Sequence, residues 1–452
     1  MKQHRIFYYI LFFIAGTCLH GQESTEFSLD DEHETDALFK TEIGGTISSA
    51  VTFLLHPPQP KDKLSLLSFL RTDLHVAAEA PLAKAYFGVR LNKQTLNANP
   101  ARAKKAPYPL EQRGQVPRWI DEAYVSIIFD TIVVSSGIQK LSWGRTETAS
   151  VLDVINPLDK SDLTHDSVQE SKIAQPLLRV QFYAPLDIKC EAVFLPAFEG
   201  HRLALDGIWK PAKLQRLEQT LQRAGIPSGN MTLPDTHTLR YAQGGGRMSG
   251  TFGLIHDIGV QYFYGRLHDV SFAIDEQQRV LSVDYNPYHH VAVDYGTAIG
   301  PVGLQAECAA NITEDLTGDN PAVYNPFLAW NTSATCNAPL GFVFTAAAAE
   351  RITLNHSRIG TKPFDIEQGQ QPTDTVLILA LAQSLLRSSL EWKVSASIGI
   401  EDADFCIRPG IHWQYGSVLI DYQFAFFGGR RTGKQGQFYN NNVMSLSVGY
   451  TF

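Results

Sequence analysis

Past the first 20 or so positions, the chain lacks any apolar run of the roughly 18 residues that a membrane-spanning helix needs. Its most apolar stretch runs only from Val376 to Leu386, which excludes a helical membrane bundle. Charge is sparse as well: 19% of the 452 residues are Asp, Glu, Lys or Arg, and the net charge is −8. An acidic balance of that kind excludes a general nucleic-acid binder. There are only 5 cysteines. Cys190, Cys308, Cys336 and Cys406 match no zinc or redox spacing and read as small packed or lipid-facing side chains. Cys18 follows Gly16-Thr17, a poor site for lipid attachment. Catalytic patterns are missing too. His289-His290 has no third metal ligand at a suitable spacing, and no serine, histidine and acid order suggests a hydrolase. Gly244-Gly245-Gly246 falls at a loop end, where it cannot cradle a phosphate. Neither an enzyme, a metal nor a cofactor is expected.

What is present is a leader followed by strands. Lys2, His4 and Arg5 precede the apolar run Ile6 to Ala15, with a cleavage point near Gly21. Residues 1–21 read as a secretion signal, 22–39 as a short periplasmic segment and 40–452 as the body. In the body, alternation with period two recurs over about ten residues, the periodicity of a strand with one apolar face. At the end, Met444, Leu446, Val448, Tyr450 and Phe452 alternate with Ser445, Ser447, Gly449 and Thr451. Leu70, Thr72, Leu74 and Val76 alternate with Arg71, Asp73, His75 and Ala77. Full charges sit mid-strand on the polar face, which suits a wet lumen, and aromatics gather at strand ends.

Connections also alternate in length. Short turns fall near Pro81, Asp130-Thr131, Pro185 to Asp187, His256-Asp257, Gly300-Pro301, Asn337 to Pro339, Arg387-Ser388 and Tyr415-Gly416. Longer ones fall near 56–65, 95–117, 144–175, 198–245, 267–289, 312–323, 355–372, 401–404 and 428–440. The pattern predicts an all-β, transmembrane antiparallel β-barrel of about 18 strands, within a range of about 14–18, with short periplasmic turns and long extracellular loops. The 401–404 connection is short for its class, so the strand pair there is the weakest point of the count. The last strand must close on a first strand near Lys40 to Leu54. Within 198–245, Pro211 and the Gly225 and Pro227 stop signals bracket a short helix over Ala212 to Ala224.

One segment looks like a motif: Gly137-x-Gln139 leading to Trp143-Gly144, then Asp153 and Asn156-Pro157-x-Asp159. It resembles Gram-negative outer-membrane porin-like proteins, in which a strand reading G-x-Q ends in Trp-Gly and the next loop carries Asn-Pro-x-Asp. The resemblance implies a place in the bacterial outer membrane and a third loop folded inward, so 144–175 is the candidate constriction. That loop carries Glu147, Asp153, Asp159 and Asp162, and nearby strands carry Arg71, Lys84, Arg90 and Arg179 on the inner face. Acids facing bases across a pore set up a transverse field that selects polar solutes. The plainer alternatives are a solvated loop, and an Asn-Pro-x-Asp turn held by side-chain-to-backbone bonds. Tyr450 and Phe452 resemble the terminal signal that the barrel-assembly machinery reads. The expected function is a porin for passive diffusion of small hydrophilic solutes or ions. The alternatives are a channel specific for an apolar or aromatic compound, and a surface adhesin or structural barrel. Expected partners are outer-membrane lipid, the assembly machinery, small solutes and, by the same resemblance, two further copies in a homotrimer.

Overall fold

The computed structural model describes residues 39–55, 66–97, 119–146, 148–163, 168–205, 207–223, 225–226, 231–253, 255–275, 277 and 279–452. The expected secretion signal and nearly all of the periplasmic segment lie outside these residues, as do Glu147 and most of the loops 56–65 and 95–117.

Eighteen strands form one closed sheet. They are β1 (Lys40–Leu54), β2 (Leu66–Ala80), β3 (Ala83–Asn97), β4 (Ile120–Phe129), β5 (Ile132–Gln139) and β6 (Gln175–Ala184). Next come β7 (Ile188–Leu195), β8 (Gln243–Phe252), β9 (His256–Arg266), β10 (Pro287–Ile299), β11 (Val302–Thr313) and β12 (Phe327–Ala338). The last six are β13 (Phe342–Thr353), β14 (Thr373–Leu385), β15 (Leu390–Gly399), β16 (Asp404–Tyr415), β17 (Val418–Gly429) and β18 (Val443–Thr451). Each pairs antiparallel with its sequence neighbours, and β18 closes on β1 with Thr46 opposite Thr451 and Leu54 opposite Val443. The seam also bonds through side chains, Thr52 Oγ1 to Ser445 Oγ at 2.8 Å. It ends at a reciprocal backbone pair between Gly45 and Phe452.

Closure follows from the solvent. An unpaired backbone N–H or C=O in hydrocarbon costs several kcal/mol, so no edge strand can be left. The alternation decides which face meets lipid. On β9, Ile258, Val260, Tyr262 and Tyr264 are exposed on the outer wall, while Gln261 and Phe263 are buried inside. Polar outer-wall groups sit towards the strand ends, where the interfaces lie. His256 bonds Tyr295 OH, His289 bonds Tyr262 OH, and Trp330 Nε1 donates to Glu350. The adjacent His289 and His290 therefore point to opposite faces. His290 is buried between Gln261 and Asn311, a satisfied lumen residue.

The turns follow positive-φ residues more closely than polar ones. The turn expected at His256-Asp257 lies at 253–255, where Gly253 takes φ 56. The one expected at Asn337 to Pro339 is centred on Leu340 and Gly341, at φ 62 and 75. The 400–403 connection is a real four-residue link, turned by Ala403 at φ 47, so the strand pair flanking it stands. The long loop expected to run to 245 ends at 242, because the three glycines belong to β8. A Cβ on Gly245 would stand 2.3 Å from the Tyr262 carbonyl oxygen, so β8 and β9 approach more closely than a side chain allows.

The lipid-facing assignment predicts that Val293→Arg, mid-strand on β10, destabilises the folded barrel by about 2–4 kcal/mol in unfolding titrations from bilayers. Ser447→Arg, on the lumen face opposite Asp421, should cost far less.

Candidate functional site

Two long loops lie inside the barrel. The first, 140–174, joins β5 to β6 and runs along the inner wall. Its root is an apolar cluster: Leu141, Trp143 and Ile155 pack on Leu177, Val193, Leu195 and Phe263, which face inward from β6, β7 and β9. The Trp143 ring stands edge-on to Phe263, and its Nε1 donates to Glu191 at 2.6 Å. Gly144 follows at φ 110, where a Cβ would meet Ser150 Oγ at 2.3 Å. Only glycine tolerates that turn, so the Trp-Gly pair is an anchor followed by a reversal.

Asn156 clips the loop's two ends together. Its Oδ1 accepts from Leu141 N at 2.7 Å, and its Nδ2 donates to the carbonyls of Gln139 and Ile173. Pro157, fully buried, accepts from Ile173 N at 2.9 Å. Lys172 Nζ, with its side chain 1% exposed, bonds Leu141 O, Ser142 Oγ and the Asp153 carboxylate. The loop then rides on polar side chains of successive strands. Glu307 on β11 accepts from Arg145 N, Thr146 N, Ser150 Oγ and Val151 N. Gln261 on β9 donates to Leu152 O, and Asn331 on β12 donates to the carbonyls of Thr148 and Ala149.

The second loop, 196–242, joins β7 to β8 and carries the helix α1 (Ala212–Arg223), close to its expected place. It is tied to the first loop through His201, whose Nδ1 accepts from Leu158 N at 2.9 Å, while the His201 backbone N–H donates to His268 O. Between α1 and the loops that follow β13, β15 and β17 lies a chamber of about 830 Å³. Its lining includes Arg216 and Arg223 on one side, Phe272 and Phe364, and Asp374 and Asp402 on the other. The acids are engaged: Asp374 pairs with Lys434 Nζ, and Asp402 accepts from Lys434 N. Glu401 accepts from Thr373 and Thr375; these bonds outweigh the upward push of burial and hold its carboxyl at about 2. Arg216 and Arg223 have no ion-pair partner among the described residues.

The charges expected at a constriction divide into three groups. Arg71 and Arg90 both bind Asp73, and Arg90 also reaches Asp121 at 3.3 Å and the Glu170 carbonyl at 3.5 Å, which brings β2 and β3 against the first loop. Arg179 binds Glu191 under Trp143, so it braces the loop root. Lys84 sits at the short-turn end, paired with Glu79 and apart from the loop. Of the acids, Asp153 is locked onto Lys172. Asp159 accepts from Ser161 and lies 4.0 Å from Arg202, and Asp162 lies in the same loop. The residues that seat the loop, Glu307, Gln261 and Asn331, were not among the expected site residues.

No family profile matches the sequence, and no curated protein does. Solved structures do. A BenF-like porin from Pseudomonas fluorescens Pf-5 is similar at 7% identity, covering 91% of this chain and 98% of that one, with a TM-score of 0.51. OccAB4 of Acinetobacter baumannii is similar at 10% identity, covering 93% and 100%, with a TM-score of 0.50. At that identity the likeness shows the fold, an outer-membrane porin barrel.

Two outcomes follow. Asp153→Asn leaves the buried Lys172 ammonium without its counter-charge, which should destabilise the loop by about 3–5 kcal/mol. Limited proteolysis of the folded barrel should then cut within 140–174, whereas Asp159→Asn should leave the loop resistant. The second concerns pH. Burial pushes both loop histidines down, His201 well below the usual histidine range and His268 to about 4. Both are neutral in the folded loops, so the stability they contribute is complete above about pH 6.5 and lost as pH falls towards 4. Protonation of His201 Nδ1 also removes the Leu158 bond. Protease resistance of 196–242 should fall across that window, and a His201→Ala/His268→Phe variant should lose the dependence.

Proposed function

We propose that the protein is an outer-membrane channel for passive diffusion of small hydrophilic solutes or ions, with 140–174 as its constriction loop. The observation that carries this reading is the polar inner wall of an 18-strand barrel, with a loop seated along it by Glu307, Gln261 and Asn331. A barrel of 16–18 strands is too wide for side chains to fill and leaves an aqueous lumen. Arg71 and Arg90 line one part of that lumen and Asp159 and Asp162 lie on the loop, so acids and bases on the two would set up a transverse field at the narrow point. The terminal strand, with Tyr450 and Phe452 on its lipid face, would be the segment that the barrel-assembly machinery engages.

A second reading, a channel selective for particular solutes, is favoured by the chamber beside α1. It offers arginines without an ion-pair partner among the described residues, aromatic rings and engaged acids within one volume of ligand size.

Planar-bilayer recordings on refolded protein test the first reading, and absence of any conductance would refute it. Arg216→Ala/Arg223→Ala removes two cations from the lining of the chamber. It should shift reversal potentials towards cation preference, by roughly twofold or more in permeability ratio. An unchanged reversal potential would take the chamber out of the ion path.

A further inference from the structure

The second loop does more than line the lumen. It leaves from β7, and strands are numbered around a closed ring of eighteen, so β16 is the strand diametrically opposite. Yet residues just past the loop's start pack on that far side. Ala204 and Trp209 form one buried cluster with Cys406 of β16, Ala425 and Phe427 of β17, Phe438, and Val443 of β18. All four strand residues belong to lumen-facing rows, since Ala425 pairs with Val443 and Cys406 with Phe427. They lie at the long-loop ends of their strands. The described parts of this segment, 198–205 and 207–211, therefore reach across the mouth of the barrel from wall to wall, inside the ring.

Its fixing point is Trp209, 6% exposed. The indole lies 5.6 Å from Phe427 and 5.6 Å from Phe438, tilted to both. Small Ala425 and Cys406 leave the recess it fills. Two backbone groups beside it are also held: Asn441 Nδ2 donates to Ile208 O, and Gln437 Oε1 accepts from Ala212 N at 2.7 Å. The helix α1 then turns back, and Lys213 Nζ reaches Tyr324 OH at 3.1 Å.

We propose that 198–211 is a strap across the channel mouth, that Trp209 pins it to the far wall, and that the pinned strap sets the size limit for solutes. This rests on the channel reading above and names the residue that decides the limit in it. Trp209 is a positioning residue: its contacts are with the barrel wall, and its effect on solutes is through where it holds the strap.

The test uses the full-length protein refolded into bilayers and liposomes. Single-channel conductance and swelling in neutral sugars of increasing size are measured for the wild type, Trp209→Ala, Trp209→Phe and Asn441→Ala/Gln437→Ala. Heat-modifiable gel migration verifies that each barrel is closed. We expect Trp209→Ala to conduct at least twofold more and to admit larger sugars, Trp209→Phe to restore most of the limit, and the tether variant to lie between. Should Trp209→Ala fail to fold, the tether variant decides alone. Folded variants with wild-type conductance and the wild-type sugar limit would overturn the strap while leaving the channel intact. If neither the wild type nor any variant conducts, the channel reading falls and the strap with it.

Discussion

Hydrocarbon cannot satisfy a backbone amide, and the rest of this molecule follows from that. The chain must return its last strand to its first, and it does so along the register from Thr46–Thr451 to Leu54–Val443. Closing eighteen strands fixes a circumference, and the circumference fixes a lumen wider than inward side chains can fill. Close packing, which stabilises a soluble core, is thus denied to most of the inner wall. The loops supply what packing there is.

This explains why buried residues cluster where they do. Leu141, Trp143 and Ile155 form their core with strand residues from β6, β7 and β9, and Trp209 forms another with β16 to β18. Between these points the wall is polar, and its charges take one of two roles. Glu307, Glu191 and Asp294 are buried and saturated by partners: Glu307 by loop amides, Glu191 by Trp143 and Arg179, Asp294 by Arg145 and Arg247. Arg71, Arg90 and Lys84 keep access to water while paired to acids on the same wall. A buried acid of the first kind holds structure, and a charge of the second kind can act on a passing ion.

Much of the barrel was legible because a period-two pattern states both the strand and its face. The final strand and the β2 row of Arg71, Asp73 and His75 came from alternation, and the seam with Lys40–Leu54 from the need to close the sheet. Where it misled, the reason was local. Glycine carries no face, so Gly244 to Gly246 looked like loop although close approach to β9 demands them. Polar pairs such as His256-Asp257 looked like turns although Gly253 and Leu340 supply the positive φ that reverses the chain. The site was harder to read. A list of acids in 144–175 cannot tell that Asp153 is buried against Lys172 while Asp159 is not, because that depends on which ends of the loop Asn156 brings together. Trp209 offered no periodic signal at all, since its partners are Phe427 and Phe438, more than two hundred residues away.

The wall-following stretch of the first loop and the span of the second are held by different chemistry, and the difference follows from where each lies. Where the first follows the wall, inward polar side chains reach its backbone strand by strand, through hydrogen bonds with Glu307, Gln261 and Asn331; farther on, its Leu163 carbonyl accepts from Arg408 of β16. The second leaves the wall and crosses a space in which water competes for every hydrogen bond, so polar contacts along its span add little net stability. Such a segment needs a terminus that water does not contest, and an indole in a recess of Ala425, Cys406 and two phenylalanine rings provides one. The helix after it is held at its first turn, where Lys213 donates to Tyr324 OH. A stretch bound along the wall narrows a pore by its thickness, whereas one that crosses divides it, so the two set different limits on what passes.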